Sequence, residues 1–329
     1  MAGTKSDFQI YPREFFGGMQ ELLNQNLQVF NEASGGAMRL VPRDIRGDFE
    51  RESFLKRLSG NISHRDTTSD SSVSDNKMEQ GELVGPKINR RIGPNAMTID
   101  SWKKIDTDPS VMSFFYGQQV ARDVMADYVN TAALTARTTI SQQSGSLVYD
   151  ATGETDPKLR TEYLIRGLKN FGDRGNRIGA WVMHSVPFYN LMEGQVLDKI
   201  TNVADAVIYG GTPGSFDRPI IVTDSDALID DTVPGNLKYY TLGLSTDAVE
   251  IAQSEDETIW NDEITGLENL VMRVQGEYAF NVRAKGFAYT GTANPNDATL
   301  GNTSNWSFVM SSVKDAPGVA IKTAETSVT

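Results

Sequence analysis

A chain of 329 residues with 39% hydrophobic and 22% charged side chains has a globular composition, long enough for two compact units or for one core with long extensions. It has no cysteine, which excludes disulfide frameworks, cysteine nucleophiles and thiolate metal sites, and its net charge of -12 opposes the phosphate neutralisation that nucleic-acid binders rely on. No stretch approaches the roughly 20 apolar residues of a membrane helix, and residues 1–10 lack the apolar core of a signal peptide. The charge is uneven: residues 39–104 carry 13 basic and 10 acidic side chains, whereas residues 205–268 carry 2 basic and 14 acidic ones. Such regions can be complementary between copies of one molecule.

Residues 12–32 read as a helix, with Phe15, Phe16, Met19, Leu22, Leu23, Leu27 and Phe30 at three- and four-residue spacing and Gly35–Gly36 as its stop. It suits either an ordinary core helix or an arm on a neighbouring subunit. Residues 37–104 hold only short apolar patches, and residues 59–76 are nearly free of large apolar side chains. A segment of that kind cannot bury enough surface to make a core. With the turn signals Gly85–Pro86 and Gly93–Pro94 it reads as an extended two-stranded excursion with a mobile polar tip, the alternative being a disordered linker. Asp108 is a good N-cap and Pro109 suits a first helical position, opening a helix that runs to about Gln143. At about 1.5 Å per residue this is a rod of about 50 Å.

Beyond it, Asp156–Pro157 opens a helix ended by Gly172 and Gly175, and residues 178–183 form a buried strand. Ser185 is placed to cap a short helix carrying Phe188, Tyr189 and Leu191, and Val196, Ile200, Val203 and Val207 mark a further one. Residues 219–223 form a second buried strand, while 237–244 and 248–251 alternate like paired strands. Residues 270–290 suggest a long antiparallel pair, and 306–322 one or two more strands. The mixture predicts an α/β or α+β domain.

The chemistry-bearing residues form no recognisable constellation. The adjacent pair His184–Ser185 lacks a G-x-S-x-G elbow and reads as a strand end followed by a cap. There is no phosphate loop. The carboxylates Asp224, Asp226, Asp230 and Asp231 lack the glycine and glutamate of a calcium loop, since Ile229 and Gly235 stand in those places. Glu255, Asp256 and Glu257 would be the acid and base of a carboxylate hydrolase, but three in a row are more simply a solvated turn. The reading predicts no catalytic residue, no metal and no cofactor.

The order of parts, namely an arm, a polar excursion, one very long helix, a mixed central region and a return to strands, resembles the major capsid proteins of tailed phages, with the HK-ninety-seven-type fold. Three strings carry the same resemblance: GAWVMHSVPFYNLM at 179–192, RPIIVTDSDAL at 218–228 and GFAYTGTANPNDATLGNTSNW at 286–306. The length suits a short-tailed phage. The resemblance implies a phage capsid fold with an N-terminal arm (1–36), an extended E-loop (37–107) reaching over a neighbour, a P-domain spine helix (108–143), a mixed α/β A-domain (144–254), and P-domain strands with a C-terminal tail (255–329).

It implies a self-assembling subunit forming hexamers and pentamers of an icosahedral virion shell, assembled in the host cytoplasm. Scaffolding, portal and decoration proteins would be further partners, and the shell would enclose DNA without binding it specifically and without a membrane. An encapsulin-like compartment is the alternative within the same fold. Some relatives cross-link through a lysine and an asparagine, and no such pair is carried over. The candidates for contact between subunits are the excursion's cations: Arg39, Arg43, Arg46, Arg51, Lys56 and Arg57 before the tip, and Lys87, Arg90 and Arg91 after it.

Overall fold

The computed structural model describes residues 14–15, 17–23, 31, 34–43, 45–58, 60–98, 100–101, 104, 109–196, 218–232 and 236–325. The expected helix through Ile200, Val203 and Val207, and the expected Asp108 cap, lie outside these residues.

The long helix, α1, spans Pro109–Gln142 with Pro109 at its start. Its buried side chains, Val120, Ala121, Val124, Tyr128, Ala132, Ala133, Ala136 and Ile140, recur every three to four residues and make one stripe. No helix among the described residues is long and apolar enough to cross a membrane. Residues 17–23 are helical and cross the start of α1. Phe15, Met19 and Leu23 are buried, so this part of the N-terminal segment packs on its own subunit. The crossing is close because glycines face it from both sides. A Cβ on Gly117 would collide with the Phe15 carbonyl oxygen, and one on Gly18 would lie 2.6 Å from the Phe114 carbonyl oxygen.

Two sheets flank the helix. The first contains β1 (Met38–Pro42), β2 (Phe49–Leu55), β3 (Gln80–Thr98), β9 (Val249–Ile264), β10 (Val271–Ala284), β11 (Phe287–Tyr289) and β12 (Trp306–Phe308). Its order is β1-β9-β10-β3-β11-β12, with β2 on β3. Alternation along β10 sends Met272, Val274, Tyr278, Phe280 and Val282 into the core, where Tyr128 meets Tyr278 and Phe280 edge-on at 6.0 and 5.0 Å. Such aromatic contacts add about 0.5–1.5 kcal/mol each to area burial. β2 and β3 pair antiparallel from Phe49 opposite Pro86 to Leu55 opposite Gln80, and residues 60–80 between and at their ends are all exposed. The excursion starts later than expected: residues 38–42 pair in parallel with β9, because Met38 and Leu40 are core side chains.

The second sheet orders β4 (Val148–Asp150), β13 (Gly318–Ala324), β8 (Lys238–Ser245), β5 (Ile178–Met183) and β6 (Ile220–Val222), with β7 (Ile229–Asp230) also on β8. Here β13 comes from the last part of the chain. It pairs with β4 and β8, inside the sheet of the 144–254 segment, since residues 318–321 are fully apolar and need a core on both faces. Short helices are α2 (Ser144–Leu147), α3 (Thr161–Phe171), α4 (Ser185–Val196) and α5 (Asp297–Leu300). α3 starts later than Asp156–Pro157. Asp156 instead accepts from the Lys158 N–H, and the Pro157 carbonyl accepts from Ala324 at the end of β13.

β13 is also fixed by charge. Lys322 lies 2.6 Å from the buried Asp230 of β7. Burial works against the Asp230 charge, but Lys322 and the Thr232 hydroxyl and N–H outweigh it and hold this carboxyl down at about 2.

Two measurements test this architecture. Gly117→Ala should lower the unfolding midpoint by the equivalent of about 1–3 kcal/mol, although alanine is the better helix former by about 1 kcal/mol. Gly145→Ala, with open space around it, should not lower it. A depressed carboxyl stabilises the fold above its unfolded value and loses that contribution as pH falls through its folded value. The advantage of the wild-type chain over Asp230→Asn, about 2 kcal/mol, should therefore be complete above about pH 4 and vanish near pH 2. A pH-independent difference in denaturant titrations would show that Lys322 does not set it.

Candidate subunit interface

The excursion is anchored at its root by charge. Arg283 of β10 reaches Glu52, Glu50 at 3.5 Å and Glu250 at 3.3 Å, while Arg43 lies 2.7 Å from Glu50 and 3.2 Å from Glu250. Two guanidinium groups and three carboxylates thus tie β2 to β9 and β10. The side chains of Arg283, Glu50 and Glu250 are only 16%, 14% and 13% exposed, so these pairs are weakly screened. Burial works against the Arg283 charge, but Glu250, Glu50 and Glu52 raise its pKa. Farther out, Arg51–Glu82 at 3.7 Å and Lys56–Glu79 at 3.2 Å bridge β2 to β3 and their extensions. Exposed pairs of this kind contribute about 0–1 kcal/mol each.

A second network fastens β3 to the spine. Arg90 lies 3.2 Å from Asp127 of α1 and 2.6 Å from Asp297 of α5. The Tyr278 hydroxyl donates to Asp127 at 2.7 Å. Burial first, then the Asp127 charge, pushes the Tyr278 hydroxyl pKa far up, which keeps it a donor.

Of the nine expected contact residues, Arg39, Arg43, Arg51, Lys56, Lys87 and Arg90 have carboxylate partners within the subunit, with Asp247 serving Arg39 and Glu255 serving Lys87. Arg46, Arg57 and Arg91 are exposed. The Arg57 carbonyl accepts from the Ser311 hydroxyl at 3.4 Å, and Arg91 stands opposite Glu277 on β10. Asp127, Tyr278, Asp297, Glu250 and Arg283 escaped the sequence reading. Their partners lie up to about two hundred residues away, and only the sheet register brings them together.

The acid–base candidates are structural in their contacts. The His184 Nδ1 accepts from the Val186 N–H at 3.2 Å, and its Nε2 lies 3.5 Å from Asp224. Asp224 accepts from the Ser185 N–H at 3.4 Å, and its bonds to Ser185 lower its pKa. Ser185 is therefore the first helical residue of α4 and not its cap; His184 and Asp224 receive the N–H groups. Among the described residues no three His, Asp or Glu side chains are grouped to hold a metal. An open cleft of about 350 Å³ lies between α1 and the 225–227 turn, and Arg137 closes its floor by donating to the Ala227 and Ile229 carbonyls.

Residues 7–320 match the model of a family described as Gp13-like, major capsid protein 13-like. The chain belongs to this family of major capsid proteins. It is a structural, shell-forming subunit that assembles with its own copies, and its place is the virion capsid. No curated protein sequence matches it. Among solved structures, the capsid asymmetric unit of cyanophage Pam1 is similar at 10% identity and a TM-score of 0.49, over 86% of each chain. The capsid of Ralstonia phage GP4 is similar at 9% identity and 0.46, over 89% of this chain and 88% of that one. The acidic stable capsid of Helicobacter pylori bacteriophage KHP30 is similar at 10% and 0.46, over 88% and 89%.

The root network of this capsid protein makes its own prediction. Arg283→Met leaves the half-exposed Arg43 as the one cation against Glu50 and Glu250, so stability should fall by about 1–3 kcal/mol and amide exchange in residues 49–55 should accelerate. Adding Glu250→Gln should recover part of the loss. Unchanged exchange in β2 would mean that the root is held by strand pairing alone.

Proposed function

We propose that this capsid protein closes into an icosahedral shell around a tailed-phage genome, in the HK-ninety-seven-type fold and without catalytic activity of its own. Hexamers and pentamers of the chain assemble in the host cytoplasm, with scaffolding, portal and decoration proteins as further partners, and the enclosed DNA is not bound specifically. In this reading residues 1–36 are the arm, 37–107 the E-loop, 108–143 the spine of the P-domain, 144–254 the A-domain, and 255–329 the returning strands, with β13 inserted in the A-domain sheet.

The observation that carries the reading is the excursion. A shell subunit needs surface that is complete only against a neighbour. Residues 60–80 are exposed throughout, and they hold Ile62, Val73 and Met78 at 95%, 87% and 72% exposure. Single exposed apolar residues are ordinary, but three on one unsupported arm are surface awaiting a partner. The acidic body supports the absence of DNA binding. The contact proposal rests on Arg57 and Arg91; Arg90 serves the spine.

Electron microscopy of the purified chain should show closed shells hundreds of ångströms across. Deleting residues 60–78 should leave folded subunits and cut shell yield at least tenfold. Arg57→Glu with Arg91→Glu should weaken assembly most at low salt, where charges are least screened. Unchanged yield at every salt concentration would remove charge from the contact, and only monomers or dimers from virions would remove the shell.

A further inference from the structure

Asn281 of β10 is 1% exposed, and neither the nitrogen nor the oxygen of its carboxamide has a hydrogen-bond partner. Burying an amide in that state is costly. The residues around it give the cost a purpose.

Tyr278, Phe280 and Val282 face the core, so Ala279, Asn281 and Arg283 share the opposite face of β10. On that face Lys87 of β3 stands directly opposite Asn281, and Glu255 of β9 stands opposite Ala279. The Lys87 ammonium is paired with Glu255. Its side chain therefore crosses β10 from β3 to β9, over the small Ala279 and alongside the Asn281 carboxamide. Directly opposed residues have Cβ atoms about 4.5–5.5 Å apart, so rotation within the lysine side chain is enough to carry Nζ to the Asn281 Cγ.

The site is sheltered at Asn281 and open at Glu255. The Lys87 side chain is 12% exposed and that of Glu255 59%. The Arg43 N–H donates to the Gln253 carbonyl of β9, and the Lys87 N–H donates to the Asp48 carbonyl. The chain joining β1 to β2 thus crosses β10 at the level of Asn281.

An amine, a carboxamide and a carboxylate so placed can form an amide bond. Glu255 takes a proton from the Lys87 ammonium, and the free amine attacks the Asn281 Cγ. Glu255 passes that proton to Nδ2, the Cγ–Nδ2 bond breaks, and ammonia leaves. Glu255 then takes the second proton from the attacking nitrogen and releases it to solvent. Nothing is oxidised or reduced, and no further reactant is needed. A carboxamide with two unpaired N–H groups becomes a secondary amide with one, and the sheltered ammonium charge disappears.

We propose that Lys87 and Asn281 join in an amide bond within one chain, with Glu255 carrying the protons. The bond ties the root of the excursion to β10 covalently and closes a loop that contains α1.

Tryptic peptide mapping tests this on the purified chain. The map should contain a branched peptide joining residues 78–90 to residues 274–283, lighter than the two together by one ammonia, while denaturing gels show the chain as a monomer. Glu255→Gln should slow the appearance of this peptide after synthesis by about a hundredfold or more. Lys87→Arg, which keeps the charge, should give only linear peptides and a lower unfolding midpoint, because no closed loop then restricts the unfolded chain. Linear peptides alone in the wild-type chain would overturn the proposal. Multimers on denaturing gels that contain the branched peptide would also overturn it, by placing the bond between copies. So would a loss of ammonia from residues 274–283 that persists in Lys87→Arg, which would assign it to cyclisation of Asn281 on its own backbone.

Discussion

The buried stripe of α1 serves two sheets at once, and the remaining structure depends on this sharing. The helix has 34 residues, more than one sheet of ordinary width can cover. Tyr128 packs on Tyr278 and Phe280 of the first sheet. Toward its C-terminal end the helix reaches β8 and β13 of the second, with Arg137 lying over the Tyr240 ring at 4.5 Å. The small buried residues Ala132, Ala133, Thr135, Ala136 and Thr139 keep that approach close, and the Thr138 and Thr139 hydroxyls donate back to the Leu134 and Thr135 carbonyls. A rod held on two sheets is a stiff frame, from which an excursion can project without being part of a core.

That frame explains the use of charge. An arm with few apolar anchors cannot be held by burial, so its root is held by ions in a partly dry site. There, loss of one partner costs more than the pair itself contributes. Farther out the pairs are solvated and weak, which leaves the arm free to adapt. Most of the excursion's cations are thus occupied in keeping it attached to its own subunit, and few are left for recognition of another.

The long elements were legible because their signals are local. The spacing of Val120, Val124 and Tyr128, with Pro109 ahead of them, is sufficient for α1, and the alternation from Met272 to Val282 is sufficient for β10. The apolar run at 178–183 and the polar run at 59–76 speak for themselves. Other features depend on register. Nothing near residues 318–324 says that they lie between β4 and β8, and nothing near Arg283 says that Glu50 is within reach. Ser185 misled for a related reason: its hydroxyl suits a cap, but the ring of His184 and a carboxylate from another strand had already taken the N–H groups. β1 was not legible because Met38 and Leu40 are too short a patch to betray a strand until its partner, β9, is known.

The acidic edge of β9 has a bearing on selectivity. Two such edges brought side by side would set the carboxylates of one copy near those of another, and like charges directly opposite on paired strands destabilise the pair. Exposed edges ordinarily invite identical molecules to stick back-to-back into dead-end dimers or fibres. Here that symmetric mistake is penalised by the acidic side chains of the strand itself. A subunit can therefore carry this strand at high concentration in the interval before its correct neighbour arrives.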